Sequence, residues 1–184
     1  MRRSGFTLIE LLVVIMILGI LITIAGLAFI GAPEKARQTA CMKHLNDIYK
    51  CIMSYSGDQG AFPWAGDSAP FIDHWNVLIK ELNYKIKPDL FICPSMGLSP
   101  AKKDPVTKQF QLQRENCGYA YSSVPRTETD EELLAGDRDF KSGGRGRGHP
   151  NLVIVLSASG NVDKIKVKEG QTWEQVTRGE LKRD

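Results

Sequence analysis

From Leu11 to Ile30 the chain runs for twenty residues without a charge, LLVVIMILGILITIAGLAFI. A helix of that length spans about 30 Å, the thickness of a bilayer's hydrocarbon core. The remainder of the 184 residues reads as an ordinary polar domain, long enough for one core with an appendage. Arg2 and Arg3 precede the apolar run and should stay on the cytoplasmic side, which exports everything after it. With 24 basic against 21 acidic residues the charge is too balanced to make nucleic acid a principal partner.

Three explanations compete for the first thirty residues. An ordinary secretory signal has an apolar stretch of about 7–15 residues ending in an Ala-x-Ala-like site. This run is longer, and Ala25, Ala28, Gly31 and Ala32 supply no strict site. A plain signal anchor fits the length but leaves Glu10 unexplained, because a carboxylate at the edge of a membrane helix is costly and marks a partner. The bland alternative is a carboxylate snorkelling into the headgroups. The third explanation begins from Met1-Arg2-Arg3-Ser4-Gly5, a very short basic leader, followed by Phe6-Thr7-Leu8-Ile9-Glu10.

Gly5-Phe6-Thr7-Leu8-Ile9-Glu10 ahead of an apolar helix resembles the signal of type IV prepilins and type II secretion pseudopilins. The resemblance implies cleavage between Gly5 and Phe6 by a prepilin peptidase and N-methylation of Phe6. It also implies that Glu10 pairs with the amine of a neighbouring subunit during assembly. An isolated buried carboxylate is expensive, and an incoming ammonium relieves that cost, so such a pair can set register. Loss of Arg2 and Arg3 would lower the formal charge from +3 to +1. Gly19 stands where many pilins carry a glycine, whereas Leu27 occupies the position of the proline that many place eight residues later.

Beyond the apolar run, Cys41, Leu45, Ile48, Ile52 and Tyr55 follow helical 3–4 spacing and predict one apolar face. Gly31-Ala32-Pro33 should kink or loosen the helix before it. Ser56 to Pro63 is a turn cluster, His74 to Leu82 a short helix, and Leu90–Cys93 and Gly118–Tyr121 strand candidates. Lys102 to Asn116 reads as a surface loop. Asn151–Ser157 and Val162–Val167 around Ser159-Gly160-Asn161 predict a hairpin, and Thr172-Trp173-Glu174-Gln175 a capping box. Several pieces also resemble one prepilin-like subgroup: the Cys41…Tyr55 helix, Gly60-Ala61-Phe62-Pro63, Cys93-Pro94-Ser95, Tyr119-Ala120-Tyr121, and His149 followed after nine residues by Ser159-Gly160. That subgroup has aspartate where this chain has Ser159.

Cys41 and Cys51 on one helix would lie about 15 Å apart, too far for a disulfide, which needs Cα atoms within about 7 Å. Cys93 and Cys117 are the better pair, buried free thiols being the alternative. A Cys93–His149 nucleophile pair has nothing to bring it together, and no Cys-x-x-Cys or His-x-x-x-His spacing marks zinc with His44, His74 and His149. Asp130, Glu131, Glu132, Asp137 and Asp139 would be the place for calcium, which some pseudopilins bind, but their spacing matches no calcium loop and a solvated loop is expected. No cofactor, metal or catalytic residue is therefore assigned. Ser142 to Gly148 is a flexible basic approach to the hairpin, and Trp64, Trp75 and Trp173 belong in the core or at its edge.

The expected architecture is α+β and pilin-like: a leader at 1–5, a membrane and filament-core helix at 6–30, and an exported domain at 31–184 whose helix packs on a small antiparallel sheet. Its expected partners are prepilin peptidase, other pilin or pseudopilin subunits, the inner-membrane assembly platform and the lipid bilayer. The expected place is the inner membrane in a single pass, with the N-terminus cytoplasmic, then a periplasmic or surface filament. The rival is a membrane-anchored exported enzyme or binding domain that forms no filament.

Overall fold

The computed structural model describes residues 7–29, 31–82, 85–142 and 147–182, without the side chains of 25–29. Gly5 and Phe6 lie outside the described residues, as do Arg2, Arg3 and the centre of the basic segment at 143–146. The chain divides into two compact units, residues 1–36 and 37–184.

The first unit contains α1, Leu8–Phe29. From Leu8 to Ile24 its side chains stand open on every side and, apart from Glu10 and Thr23, are apolar: Leu8 is 89% exposed and Ile22 71%. A helix with no polar stripe has no way to orient toward a domain core, so it calls for an apolar medium or for like helices around it. At 22 residues it measures about 33 Å. Among the described residues no helix is long and apolar enough to cross a membrane; the described side chains of α1 end at Ile24. The expected interruption appears next, because α2 starts afresh at Ala32 and runs to Gln59. Pro33 falls in its first turn, where a missing N–H costs no helical bond.

The second unit is built on a five-stranded antiparallel sheet of order β6-β5-β2-β1-β7. The strands are β1 Tyr119–Ser122, β2 Leu133–Asp137, β5 Leu152–Ser157, β6 Val162–Lys166 and β7 Leu181–Lys182. Between them, β3 Phe140–Lys141 and β4 His149–Pro150 form a short parallel pair. The alternation of β1 and β5 splits the core in two. Tyr119, Tyr121, Leu152, Ile154 and Leu156 join Cys41, Leu45, Ile48 and Ile52 of α2 and Phe71, Trp75, Leu78 and Ile79 of α3, Phe71–Leu82. Ala120, Val153 and Val155 face the opposite way, against Val167, Leu181, and Trp173 and Val176 of α4, Trp173–Val176. Covered on both faces, β5 needs the continuous apolar run that it has.

The hairpin turn also meets α2. Gly160 has φ +93°, and a Cβ there would lie 2.5 Å from the Tyr49 ring, so glycine alone fits both the turn and the helix. The capping box at α4 is formed, with the Thr172 and Gln175 side chains each accepting from the other's backbone N–H.

Two expectations are corrected. Leu90–Cys93 is no strand: Pro88–Phe91 forms a 3₁₀ turn, which proline opens naturally, and extended Ile92 follows. The acidic segment is no simple loop, because Leu133–Asp137 is the central strand β2 and Asp137 is fully buried. Within Lys102 to Asn116, exposed for the most part, Phe110 and Leu112 drop into the core. Trp75 and Trp173 are core residues, with Trp64 partly buried at its edge.

Candidate functional site

The N-terminal segment shows why a threonine and a glutamate suit positions three apart. Thr7 precedes the first turn of α1, and both its N–H and its hydroxyl donate to Glu10 Oε2, at 2.9 and 2.8 Å. The Glu10 N–H returns a bond to Thr7 Oγ1 at 3.4 Å. This reciprocal pair is a capping box, and it satisfies backbone donors that an apolar surrounding could not. Thr-x-x-Glu was present in the sequence as a capping signal, overshadowed there by the apolar run. Glu10 is thus held at the mouth of the helix with its carboxylate exposed.

The family described as the prokaryotic N-terminal methylation motif matches residues 1–26. The N-terminus is prepilin-like. Among curated proteins, the Type II secretion system core protein G of Aeromonas hydrophila is 37% identical over 62 residues, 34% of this chain and 43% of that protein. The protein of the same name from Pseudomonas aeruginosa is 36% identical over 62 residues, 34% of this chain and 44% of that one. The chain therefore spans less than half the length of the curated relatives it matches. No solved structure matches it. The prepilin-like N-terminus and the α+β head, a helix on a small antiparallel sheet, agree with the architecture expected from the sequence.

A second constellation lies inside the head. Cys41 on α2, Cys93 after the 3₁₀ turn, Asp137 at the end of β2 and His149 on β4 are all fully buried, and their donor atoms lie within 4.8 Å of one another. Cys41 Sγ donates to Asp137 Oδ1 at 3.2 Å; Cys93 Sγ is 3.6 Å from His149 Nε2. Asp137 Oδ2 is 3.9 Å from the same nitrogen and accepts from the Ile154 N–H at 2.9 Å. Ser95 Oγ sits 2.9 Å from His149 Nδ1, and the Tyr119 hydroxyl 3.3 Å from Cys41 Sγ.

Local sequence explains how these groups meet. Gly118 has no room for a side chain, since a Cβ would lie 2.6 Å from the Cys93 nitrogen, so β1 admits the Cys93 turn at close range. The Gly118 N–H donates to Phe91 O, which ties the two together. The 3–4 stripe of α2 aims Cys41 inward, and pairing of Tyr119 with Asp137 brings the aspartate opposite β1. Trp173 Nε1 donates to the Asp137 carbonyl and locks the strand end from the far face.

Charge in so dry a place is rationed. Hydrogen bonds from Cys41 and then His149 outweigh burial and bring the Cys93 thiol down to about 5, while burial, then Cys93, pushes Asp137 well above the usual carboxylate range. Burial, the bond with Cys93 and the Asp137 charge drive Cys41 the opposite way from Cys93. All four cysteines are free thiols in the structure. Cys93 is engaged with His149, and Cys117 Sγ donates to the Tyr119 carbonyl at 3.3 Å.

Cys93 and His149 are therefore neighbours, which their separation of 56 residues gave no means of seeing. They are not arranged as a nucleophile pair. Asp137 shares the Nε2 side with Cys93 instead of orienting the ring from Nδ1, and a fully buried thiol meets no substrate. A cleft beside α3, about 370 Å³ and lined by residues such as Asp73, Asn76 and Phe110, has none of the four cluster residues in its wall.

Proposed function

We propose that this chain is a structural subunit, a pseudopilin or pilin, which is processed by a prepilin peptidase and built into a type II secretion pseudopilus or type IV pilus-like filament. One observation carries the reading: the methylation motif at residues 1–26 takes in a helix that is exposed on every side from Leu8 to Ile24 and apolar there except for Glu10 at its mouth and Thr23. Such a surface suits lipid before assembly and the α1 helices of other subunits afterwards. The names of the two relatives, core proteins of type II secretion, favour the pseudopilus.

In this reading the leader ends at Gly5, and the new Phe6 amine immediately precedes the Thr7–Glu10 cap. The apolar run anchors the subunit in the inner membrane in a single pass, N-terminus inside and head in the periplasm. There it meets the peptidase and the assembly platform. The work is mechanical, with no catalytic residue assigned. Entry into the filament brings a neighbouring ammonium to Glu10, whose carboxylate is already presented by Thr7.

Glu10→Val tests this. The variant is expected to reach the membrane and to be cleaved at Gly5 as the parent is, yet to be missing from the sheared or sedimented filament fraction, with a loss of about tenfold or more, the factor that corresponds to 1.4 kcal/mol. Normal incorporation of Glu10→Val would remove the carboxylate from assembly. Activity of an isolated head lacking any filament would favour the anchored enzyme or binding domain.

A further inference from the structure

We propose that Cys41, Cys93, Asp137 and His149 form a closed binding site for a divalent transition metal, zinc, that clamps four elements of the head. Two sulfurs, one imidazole nitrogen and one carboxylate oxygen form a donor set of the borderline-soft kind that zinc takes, and four protein ligands with no open position mark a structural site. The distances agree. Metal–sulfur bonds of about 2.3 Å and metal–nitrogen or metal–oxygen bonds of about 2.0–2.1 Å give a tetrahedron with edges of about 3.3–3.8 Å. Cys41 Sγ lies 3.2 Å from Asp137 Oδ1, Cys93 Sγ 3.6 Å from His149 Nε2 and Asp137 Oδ2 3.9 Å from that nitrogen, and the four donor atoms all fall within 4.8 Å, so a small contraction closes them on one ion.

The surroundings suit a metal as well as the ligands do. Ser95 at His149 Nδ1 can accept that ring proton, which leaves the Nε2 lone pair directed at the other three ligands. The Ile154 N–H fixes one Asp137 oxygen, and the Tyr119 hydroxyl reaches Cys41 Sγ. Two thiolates and a carboxylate packed together without water would repel strongly, and a dication replacing their protons removes that repulsion. Calcium fits poorly, since it wants six or more oxygen ligands and gains little from sulfur. The ligands come from α2, the Cys93 turn, β2 and β4, so one ion joins segments far apart in the chain, Cys41 and Asp137 being separated by 96 residues. This site is independent of filament assembly, and either reading can fail without the other.

The test uses the full chain purified in detergent. Metal content is measured by inductively coupled plasma mass spectrometry, and the metal is then exchanged for cobalt. The expected result is about one zinc per chain, and, with cobalt, thiolate charge-transfer absorption together with the intense visible bands of tetrahedral coordination. Cys93→Ser and Asp137→Ala should lose the metal. Ser95→Ala, which leaves all four ligands, should weaken it by about 10–100-fold. Where a ligand variant fails to fold, the cobalt spectrum of the unaltered chain decides. A folded chain that takes up neither zinc nor cobalt overturns the proposal, as does a Cys41–Cys93 disulfide found by peptide mass mapping, or an ion bound with both thiols still protonated.

Discussion

Replacing Trp75 by alanine is expected to destabilise the head by about 3–5 kcal/mol, the cost of removing a large aromatic side chain from a packed core. Trp75 is fully buried and stands at the crossing point of α3, β1 and the 3₁₀ turn. Its ring meets Tyr121 edge-on at 4.7 Å and Phe91 at 5.5 Å, while Nε1 donates to the Tyr119 carbonyl at 3.1 Å. Alanine removes all three contacts and leaves the buried Tyr119 carbonyl with the weaker Cys117 thiol as its side-chain donor. Since a domain of this size has about 5–15 kcal/mol in hand, the loss consumes much of its stability. Trp75→Phe keeps most of the volume and should cost clearly less. Denaturant unfolding of both variants measures the difference, and a Trp75→Ala loss below about 1 kcal/mol would contradict this packing.

The second large effect is a dependence on pH centred on His74. This ring is buried, stacked on Trp64 at 4.2 Å and beside Tyr121 at 5.2 Å. Its Nδ1 accepts the Ala65 N–H at 3.0 Å, which assigns the proton to Nε2, and that nitrogen has no partner among the described residues. Burial foremost, then the Lys182 charge, lowers its pKa from the ordinary 6.5 to about 4, against a small opposing pull from Asp73. The unfolded chain therefore takes up a proton near pH 6.5 and the folded head only near pH 4. The contribution of His74 is fully present above about pH 6.5 and is lost as pH falls toward 4, by about 3 kcal/mol over the window. Unfolding followed by tryptophan fluorescence, compared with His74→Gln, isolates this from the carboxylates. The variant should lose most of that slope, and an identical slope would show that His74 is charged or exposed in the folded head.

What was legible in the sequence was whatever depends on local spacing. The stripe of Cys41, Leu45, Ile48 and Ile52, the hairpin around Ser159-Gly160 and the box at Thr172–Gln175 are set by neighbours within a turn or two, and all three are present. β2 was not legible. Leu133-Leu134-Ala135-Gly136-Asp137 is short, carries two poor strand formers and follows an acidic segment. It becomes a strand because β1 and β5 flank it on either side. The same holds for the Cys41, Cys93, Asp137 and His149 cluster, whose members meet only once the sheet has formed. No ligand spacing could announce it, because each residue arrives from a different element. Glu10 was legible as a residue in need of a partner; its bond with Thr7, signalled by Thr-x-x-Glu, was masked by the apolar run and came to light in the structure.

The central claim is that the chain enters the prepilin pathway, and the mature N-terminus tests it most directly. Mass spectrometry of the protein from membranes with and without prepilin peptidase should find a chain beginning at Phe6 with one added methyl group, and the uncleaved form when the peptidase is absent. A chain that still begins at Met1 in the presence of the peptidase, or one that begins beyond Ala25, would contradict it.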